Sequence, residues 1–460
     1  MTRMRERELA GGTADIASRL GSRRTVELFE MWTRRHAAYA LLATPVLASL
    51  SATSAPAAAK YTVEIPGIGT NRRPLALGPL RGELPGSPSP STIIQADLER
   101  SGVFQTLVAP QGLDERSPLP QAQARALGAD TLLAGSMMRL ADGTFELRYR
   151  LWDVVEGRPL LDRALTTNAA DLRLSAHRIA DEIYEQLTGV KGVFATRIAY
   201  VARVGQRYAL HVTDADGEGG QIALQSTEAI ISPAWSPNGR ELAYVSFESH
   251  KAVVWVQDVS TGKRLAVADF RGSNSAPAWS PDGKELAVTL SQGGSAQLHL
   301  ISRVGGAPRR LTSSAAIDTE PVFSPDGVTV FFVSDRGGGP QVYRLPRDGS
   351  VTPDRVTYSG SYNISPAISP NGRTLAYVNR QGGTFRVHTL DLASGEVTPL
   401  TDSSDDESPS FAPNGRLLMY ATRAQGRDVL MTTTLDGRTR TRLVTSGADM
   451  REPAWGPFGR

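Results

Sequence analysis

From about residue 196 onward the chain alternates between short apolar runs and tight-turn sequences. A typical segment is SPAWSPNGRELAYVS, residues 232–246, in which one apolar run ends at Trp235, a Ser-Pro-Asn-Gly turn follows, and a second run covers residues 241–245. Short apolar runs bounded by Gly and Pro are typical of β-strands. In the second run successive side chains are apolar on both faces, so we expect this strand to be buried on both faces.

The same segment recurs along the chain at a nearly constant period. Its proline stands at Pro233, Pro277, Pro321, Pro366, Pro409 and Pro453, with spacings of 44, 44, 45, 43 and 44 residues. A period in the forties with strand-like content indicates β-propeller blades, whereas a helical HEAT-type array would need helical stretches that these repeats lack. The last copy provides one strand and its turn, and residues 196–224 provide three strands without a preceding copy. We therefore predict six blades, the first of which is completed by the carboxyl-terminal strand.

Residues 60–190 have a different hydrophobic pattern, in which short strand-like segments alternate with segments of helical periodicity. The pattern predicts strands at residues 104–108 and 131–138, a hairpin at 145–154 and 158–165, and helices at 92–101, 121–127 and 172–187. Ser91 is the predicted cap of the first helix, and Gly189 is expected to end the last one. The predicted fold class is α+β, mostly β, with a small α/β domain at residues 60–190 before a six-bladed propeller at residues 191–460.

The first 59 residues are interpreted as an amino-terminal extension and a signal peptide. Arg34 and Arg35 precede an uncharged stretch, residues 36–59, whose apolar part is short for a membrane span. Ala57-Ala58-Ala59 is a small-x-small cleavage site, so we expect the mature chain to begin near Lys60 in the periplasm. An uncleaved anchor, a twin-arginine signal and a true start at Met31 remain alternatives.

Composition and motifs argue against several classes of site. The chain has no cysteine, which excludes disulfides and thiolate chemistry. Its net charge of +3 arises in residues 1–59, and residues 60–460 carry 42 basic and 42 acidic residues, so no basic footprint for nucleic acid is present. Neither a G-x-S-x-G elbow nor a phosphate-binding loop occurs, and the histidines after residue 60 are not at metal-ligand spacing. We expect no catalytic residue, no cofactor and no metal.

Several sequences resemble one known family. HRIADEIYEQLTGVKGVFATRIAYV at residues 177–201, ADLERSGVF at 96–104, the SP(D/N)G repeats and the terminal EPAWGPF closely resemble the TolB family, periplasmic proteins of the Tol-Pal system. The resemblance covers about residues 60–460. It implies a scaffold without catalysis that links Pal, the peptidoglycan-associated lipoprotein of the outer membrane, with TolA of the inner membrane. The implied role is envelope integrity and invagination of the outer membrane at cell division.

The resemblance also implies two partner sites. Pal is expected to dock over one mouth of the propeller, where the loops that precede the first strands converge. The predicted site is a polar, mainly acidic ring of Asn274, Ser275, Asp318, Thr319, Glu320, Asn363, Asp405, Asp406, Glu407, Arg451 and Glu452, and a solvated rim without a partner is the alternative. TolA is expected to engage the segment Lys60, Tyr61, Thr62, Val63, Glu64 and Ile65. That segment either adds to a partner's sheet or is an edge strand of its own domain.

Two further function classes stay open. One is an accessory gating propeller for a separate periplasmic peptidase, although no hydrolase domain accompanies the repeats. The other is a lectin-like propeller that binds a sugar or an ion, which would be detected as stabilisation of the fold by a small ligand. Because residues 60–460 carry equal numbers of basic and acidic residues, we expect no nucleic-acid partner. We also expect no direct membrane insertion.

Overall fold

A computed structural model describes residues 62–64, 72–83, 89–443 and 448–459 of the 460-residue chain. The interpreted signal peptide, and Lys60, Tyr61 and Ile65 of the predicted TolA segment, lie outside the described residues. Within those residues, no helix is both long enough and apolar enough to cross a membrane. The described chain forms two compact units, one made of Ser226–Ile368 with Tyr377–Gly383, and one made of the residues up to Gln225 with Ser369–Ala376 and the residues from Thr384 onward.

The amino-terminal region is a mixed sheet flanked by helices. Its elements are β1 (Thr62–Glu64), β2 (Arg73–Leu77), α1 (Pro90–Arg100), β3 (Phe104–Val108), α2 (Gln121–Ala126), β4 (Thr131–Arg139), β5 (Phe145–Asp153), β6 (Arg158–Thr167) and α3 (Leu172–Thr188). The sheet order is β3-β2-β4-β5-β6; β2 is parallel to both neighbours and the remaining pairs are antiparallel. Leu98, Phe104 and Ile183 are fully buried between the sheet and helices α1 and α3.

Both longer helices form where the sequence predicts them, with one difference at a cap. Gly189 ends α3 in the left-handed conformation at φ 71°, which confirms the predicted stop. Ser91 is not the cap of α1: the helix begins at Pro90, and Ser89 Oγ accepts the N–H of Thr92 at 3.4 Å. Proline suits the first helical position because its N–H is not needed there and its φ is already helical.

The rest of the described chain forms six four-stranded blades. β1 adds a fifth strand to one of them. The strands are β7 (Arg197–Val204), β8 (Arg207–Asp214), β9 (Gln221–Ser226), β10 (Ile230–Trp235), β11 (Glu241–Ser246), β12 (Val253–Asp258), β13 (Arg264–Ala268), β14 (Asn274–Trp279), β15 (Glu285–Leu290), β16 (Gln297–Ser302), β17 (Arg309–Arg310), β18 (Asp318–Phe323), β19 (Thr329–Ser334), β20 (Gln341–Pro346), β21 (Asp354–Arg355), β22 (Asn363–Ile368), β23 (Thr374–Gln381), β24 (Thr384–Asp391), β25 (Val397–Pro399), β26 (Glu407–Phe411), β27 (Leu417–Ala424), β28 (Arg427–Thr434), β29 (Arg440–Arg442) and β30 (Asp449–Trp455). Five blades follow chain order from β10 to β29, and the sixth has the order β30-β7-β8-β9. The second strand of a blade is buried on both faces, as predicted: Leu242 to Val245 are each at most 1 % exposed.

The repeated Ser-Pro-Asn/Asp-Gly sequence forms the turn between the first two strands of a blade. In the first copy, the Gly239 N–H donates to the Ser236 carbonyl at 2.9 Å, as the turn chemistry predicts. The serine also acts through its side chain, because Ser236 Oγ donates to Asn238 Oδ1 at 2.8 Å and accepts the Glu241 N–H at 2.9 Å. One short side chain therefore joins the turn to the strand that follows.

The carboxyl-terminal strand completes the first blade, which confirms the predicted closure. β30 is antiparallel to β7, with Trp455 opposite Ile198 and Ala454 opposite Ala199. The Trp455 indole N–H donates to Thr196 Oγ1 at 2.8 Å. The two ends of the propeller sequence are thereby joined in one sheet without a covalent link.

Candidate partner-binding interface

A β-bulge interrupts the first strand of the blades immediately before the recurring proline. The residue in front of that proline has a positive φ between 49° and 55° in every copy: Ser232, Ala276, Glu320, Ser365, Ser408 and Glu452. The strand register shifts at this point, for example between Thr319 and Val322. Proline has no N–H to offer a ladder, so it is tolerated where the ladder is broken. The sequence analysis missed the bulge, although the recurrent X-Pro pair was its visible signal.

Two of the predicted Pal-site residues are buried and structural. Asn274 is fully buried, and its Nδ2 donates to the carbonyls of Ala252, Phe270 and Gly272. Asp318 is also fully buried and accepts two hydrogen bonds from Arg336 Nη2, at 2.9 and 3.0 Å. Their prediction as surface residues was wrong.

The equivalent residues Asn363 and Asp406 are fully buried as well, which corrects the prediction for them in the same way. Asn363 Nδ2 donates to Gln341 Oε1 at 2.7 Å, and Asp406 accepts from the hydroxyls of Thr401 and Ser403. A polar side chain at this position forms hydrogen bonds with the preceding loop, whose backbone groups would otherwise lack partners. The polarity of these positions is therefore a folding requirement of the loop.

Three of the remaining charged candidates, Glu320, Glu407 and Arg451, have identified polar or charged neighbours. Glu320 Oε2 accepts the N–H of Ser365 at 2.6 Å, so the carboxylate of one blade caps the bulge of the next. Arg451 Nη2 lies 2.5 Å from Asp428 Oδ2, and Arg451 Nε lies 3.8 Å from Glu407 Oε1. Burial lowers the pKa of Arg451, but the two carboxylates outweigh it and the pKa is raised. Arg451 thus offsets part of the negative charge of Glu407 and Asp428, and the mainly acidic ring stays a prediction.

Seven of the predicted residues keep a partly exposed side chain: Ser275, Thr319, Glu320, Asp405, Glu407, Arg451 and Glu452. Thr319 lies beside Thr289, with 3.4 Å between the two hydroxyl oxygens. Sequence reasoning missed Tyr358, which lies in the loop before β22 and is 73 % exposed. Its ring is covered on one face by Arg355, whose guanidinium carbon is 5.1 Å from the ring centroid. An exposed tyrosine held in place by an arginine is a good anchor for a protein partner.

The amino-terminal strand joins the propeller. Thr62, Val63 and Glu64 in β1 pair antiparallel with Arg442, Thr441 and Arg440 in β29, as the fifth strand of that blade. The alternative of an edge strand in its own domain is therefore wrong for these three residues. Arg72 follows closely, and its Nη2 donates to Thr439 Oγ1 at 3.1 Å in the turn before β29.

A buried cluster of charges connects the two longer helices with the β8–β9 turn. Asp97 and Arg100 of α1, Arg173 and His177 of α3, and Asp214 and Asp216 of the turn belong to it. His177 is fully buried, and its Nδ1 lies 2.6 Å from Asp97 Oδ2. Arg173 Nε lies 3.2 Å from Asp214 Oδ2, and its Nη2 lies 2.5 Å from Asp216 Oδ2. The sequence gave no sign of the partners of His177.

One subset of this cluster has the spacing of a metal site. The ligand atoms of Asp97, His177 and Asp216 lie within 4.8 Å of one another. However, Arg100 Nη2 is 2.9 Å from Asp97, and Arg173 Nη2 is 3.3 Å from His177 Nε2. Guanidinium groups already occupy the space around these atoms and supply the positive charge that a cation would bring. We therefore describe the cluster as an ion-pair network.

Known protein families match both the amino-terminal region and the propeller. A model described as the TolB amino-terminal domain matches residues 61–160, and one described as the TolB beta propeller domain matches residues 184–459. The chain belongs to the TolB family. A Tol-Pal system protein TolB from a Polaromonas species is 60 % identical over 416 residues, which is 90 % of this chain and 97 % of the relative.

A second relative and a solved structure agree with this membership. The Tol-Pal system protein TolB of Aromatoleum aromaticum is 59 % identical over 417 residues, 90 % of this chain and 97 % of that protein. The crystal structure of TolB from Acinetobacter baumannii superposes with a TM-score of 0.80 at 36 % identity, and covers 87 % of this chain and all of that one. The six-bladed propeller with a preceding α/β region therefore matches the architecture of a solved TolB structure.

Proposed function

We propose that this chain is a periplasmic scaffold of the Tol-Pal system that binds Pal through the propeller and TolA through the amino-terminal region, without catalysis. Its role would be envelope integrity and outer-membrane invagination during cell division. The observation that supports this most is the match to the TolB family along both regions, at 60 % identity to a relative named for the Tol-Pal system. Residues 1–59, 60–190 and 191–460 are the proposed leader, α/β domain and propeller.

We place the Pal site on the loops and strand starts of the blades β14–β17 and β18–β21 and on the loop before β22. Ser275, Thr319 and Tyr358 carry the proposal, because they are partly or largely exposed while their neighbours Asn274, Asp318 and Asn363 are fixed by buried hydrogen bonds. Rigid backbone beneath exposed side chains reduces the entropy lost on binding. We also propose that the charges of Glu320, Asp405, Glu407, Arg451 and Glu452 steer the encounter with Pal.

Thr319→Arg is the test of the Pal surface. A large cation in place of a small hydroxyl should weaken Pal binding about tenfold or more, which is about 1.4 kcal/mol. Tyr358→Ala should weaken it by a similar factor if the ring is an anchor. The control is Val351→Arg, at a position that is 55 % exposed on the turn side of the same blade, which should bind normally. Calorimetric titration with Pal decides the matter: folded Thr319→Arg and Tyr358→Ala variants with normal affinity would place the site elsewhere.

We propose that TolA binds residues 60–65 by strand addition. β1 pairs with β29 on one edge, and no other strand among the described residues pairs with its second edge, which could therefore extend the sheet by a partner's strand. Alternatively, the partner's sheet takes β1 away from β29. Both routes need the same backbone groups of residues 62–64.

Deleting residues 60–65 should abolish TolA binding and leave Pal binding unchanged. Val63→Pro is the sharper variant, because it removes one N–H from the strand while keeping the chain length. The control is a proline placed at Asp142, in an exposed hairpin loop of the same domain. Normal TolA affinity of the deletion variant would refute the assignment of this segment.

A further inference from the structure

The charges of the six cluster residues balance each other only if His177 is protonated. Asp97, Asp214 and Asp216 contribute three negative charges, and Arg100 and Arg173 contribute two positive ones. Burial lowers the pKa of His177, but Asp97 and Asp216 outweigh burial and raise it. An imidazolium at this position supplies the third positive charge. A neutral imidazole leaves one buried carboxylate without compensation, which is costly.

The cluster lies where the α/β region meets the first blade. α1 and α3 carry Asp97, Arg100, Arg173 and His177, whereas Asp214 and Asp216 belong to the propeller. One turn further along α3, Asp181 accepts the N–H groups of Phe194 at 2.7 Å and Ala195 at 3.1 Å, in the segment that leads into β7. Arg173, His177 and Asp181 therefore form one polar stripe on α3, and every member contacts the propeller or the connection to it.

We propose that this stripe is a proton-operated clasp that holds the α/β region on the first blade while His177 is charged and releases it when His177 loses its proton. The physical reason is the change in net charge of the six cluster residues, from zero to minus one, around the fully buried His177 and the buried Asp97 and Asp216. The two surfaces would then separate so that Asp214 and Asp216 can be hydrated. This inference does not depend on which partners bind the protein.

The direction of the effect follows from the raised pKa of His177. A group whose pKa is higher in the folded state stabilises that state below its ordinary pKa, and the stabilisation is lost as the pH rises through the folded-state value. The clasp should therefore be closed in mildly acidic solution and open toward alkaline pH. Asp181 also titrates: burial raises its pKa to about 6. Burial raises the pKa of Asp214 too, whereas Asp216 has a lowered pKa because Arg100, His177 and Arg173 outweigh its burial. Arg197 of β7, which acts on Asp214, completes the charged groups around the site.

The absence of cysteine allows a direct measurement on the full mature chain. Ala141→Cys in the α/β region and Ala393→Cys in the propeller are both exposed positions for a pair of distance labels. In the otherwise unchanged protein, the fraction of molecules with a longer label distance should rise about tenfold between about pH 6 and about pH 9. The same transition must persist in D181N. If D181N abolishes it, Asp181 is the switch and the assignment to His177 is wrong.

Variants that restore the charge balance distinguish a switch operated by the proton of His177 from an effect of lost side-chain packing. H177Q should be open at both pH values, because glutamine cannot supply the missing charge. The double variant H177Q/D214N restores neutrality and should be closed at both. D214N alone should remain closed at about pH 9, because its six cluster residues are balanced when His177 is neutral. His250→Gln, a histidine that is 83 % exposed, is the matched control and should leave the transition unchanged.

Three further results would overturn the proposal. The first is an H177Q protein with the same pH transition as the unchanged chain. The second is failure of D214N to move the transition, a result that remains decisive even if H177Q does not fold. The third is a rise in melting temperature with Zn²⁺ that EDTA reverses and H177Q abolishes, which would make Asp97, His177 and Asp216 a metal site instead.

Discussion

Closure of the propeller by the last strand can be tested by removing residues 452–460. The deletion takes away Trp455, which is 9 % exposed, and the buried Ala454, together with their pairing to Ile198 and Ala199 of β7. It also removes the hydrogen bonds from the Trp455 indole to Thr196 and from the Trp455 N–H to Ser410 Oγ at 2.9 Å. The free edge of β7 and the facing side of the last blade become exposed to water.

The expected loss can be worked from these contacts. Truncating a buried tryptophan to alanine costs about 3–5 kcal/mol. Each lost hydrogen bond adds about 1 kcal/mol. The deletion should therefore cost at least about 5 kcal/mol, a large part of the roughly 5–15 kcal/mol that stabilises a folded protein. In a domain of this size that corresponds to about 10 °C in melting temperature or more.

A graded series of variants makes the measurement sharper. Trp455→Phe should lose about 1 kcal/mol because it keeps the ring but not the indole N–H, and Trp455→Ala should lose about 3–5 kcal/mol. Removal of Gly459 and Arg460 alone is the control, since Gly459 is exposed. Urea unfolding and thermal melting rank the variants by stability, and light scattering detects aggregation. A deletion variant that melts like the full chain and stays monomeric would refute closure through β30.

Three further predictions concern buried polar groups and the contact between the regions. Asp318→Ala should destabilise the protein by about 3–5 kcal/mol in urea unfolding because it leaves Arg336 without its buried partner, whereas Thr319→Arg next to it should stay within about 0.5 kcal/mol; similar losses for both would contradict the assignment of one as structural and the other as surface. Gly102→Ala should cost about 1–3 kcal/mol, since Gly102 has φ 74° and an added Cβ would lie 2.7 Å from Thr439 Oγ1; Gly112→Ala, with a similar φ of 79° and open space around it, is the control that isolates the clash. Burial raises the pKa of Asp181 to about 6, so its contribution to stability is full below its ordinary pKa of 3.8 and is lost as the pH rises through about 6; D181N should flatten the dependence of the unfolding free energy on pH in this window by at most about 1.4 kcal/mol per pH unit, and an unchanged slope would show that another group titrates there.

The elements of this protein could be predicted because each depends on neighbours in sequence. The alternation of apolar residues, the Ser-Pro-Asn/Asp-Gly turns and Gly189 are local signals, and the strands and the end of α3 lie where those signals put them. The ring closure was also predictable, because the incomplete last repeat and the incomplete first repeat add up to one blade. The choice of Ser91 as the cap was wrong because serines stand on both sides of Pro90. The helix begins at Pro90, so only Ser89 can be its cap.

The candidate site was predicted less well because exposure is not a property of a residue type. Asn274, Asp318, Asn363 and Asp406 are polar in sequence but fully buried, since their side chains satisfy loop backbone and side-chain groups that come from distant positions. Tyr358 looks like a core residue in sequence and is mostly exposed.

By itself, the sequence determined the number of blades, the elements of both regions and the pairing of the two ends of the propeller. Periodicity and turn chemistry depend on residues that are close together in the sequence. Only the tertiary structure decided which polar groups are paired, that β1 lies on β29, and that His177 of α3 meets Asp97 of α1 and Asp216 of the β8–β9 turn. These contacts join residues up to several hundred positions apart. Their free energy depends on burial and charge balance, which exist only after the chain has folded.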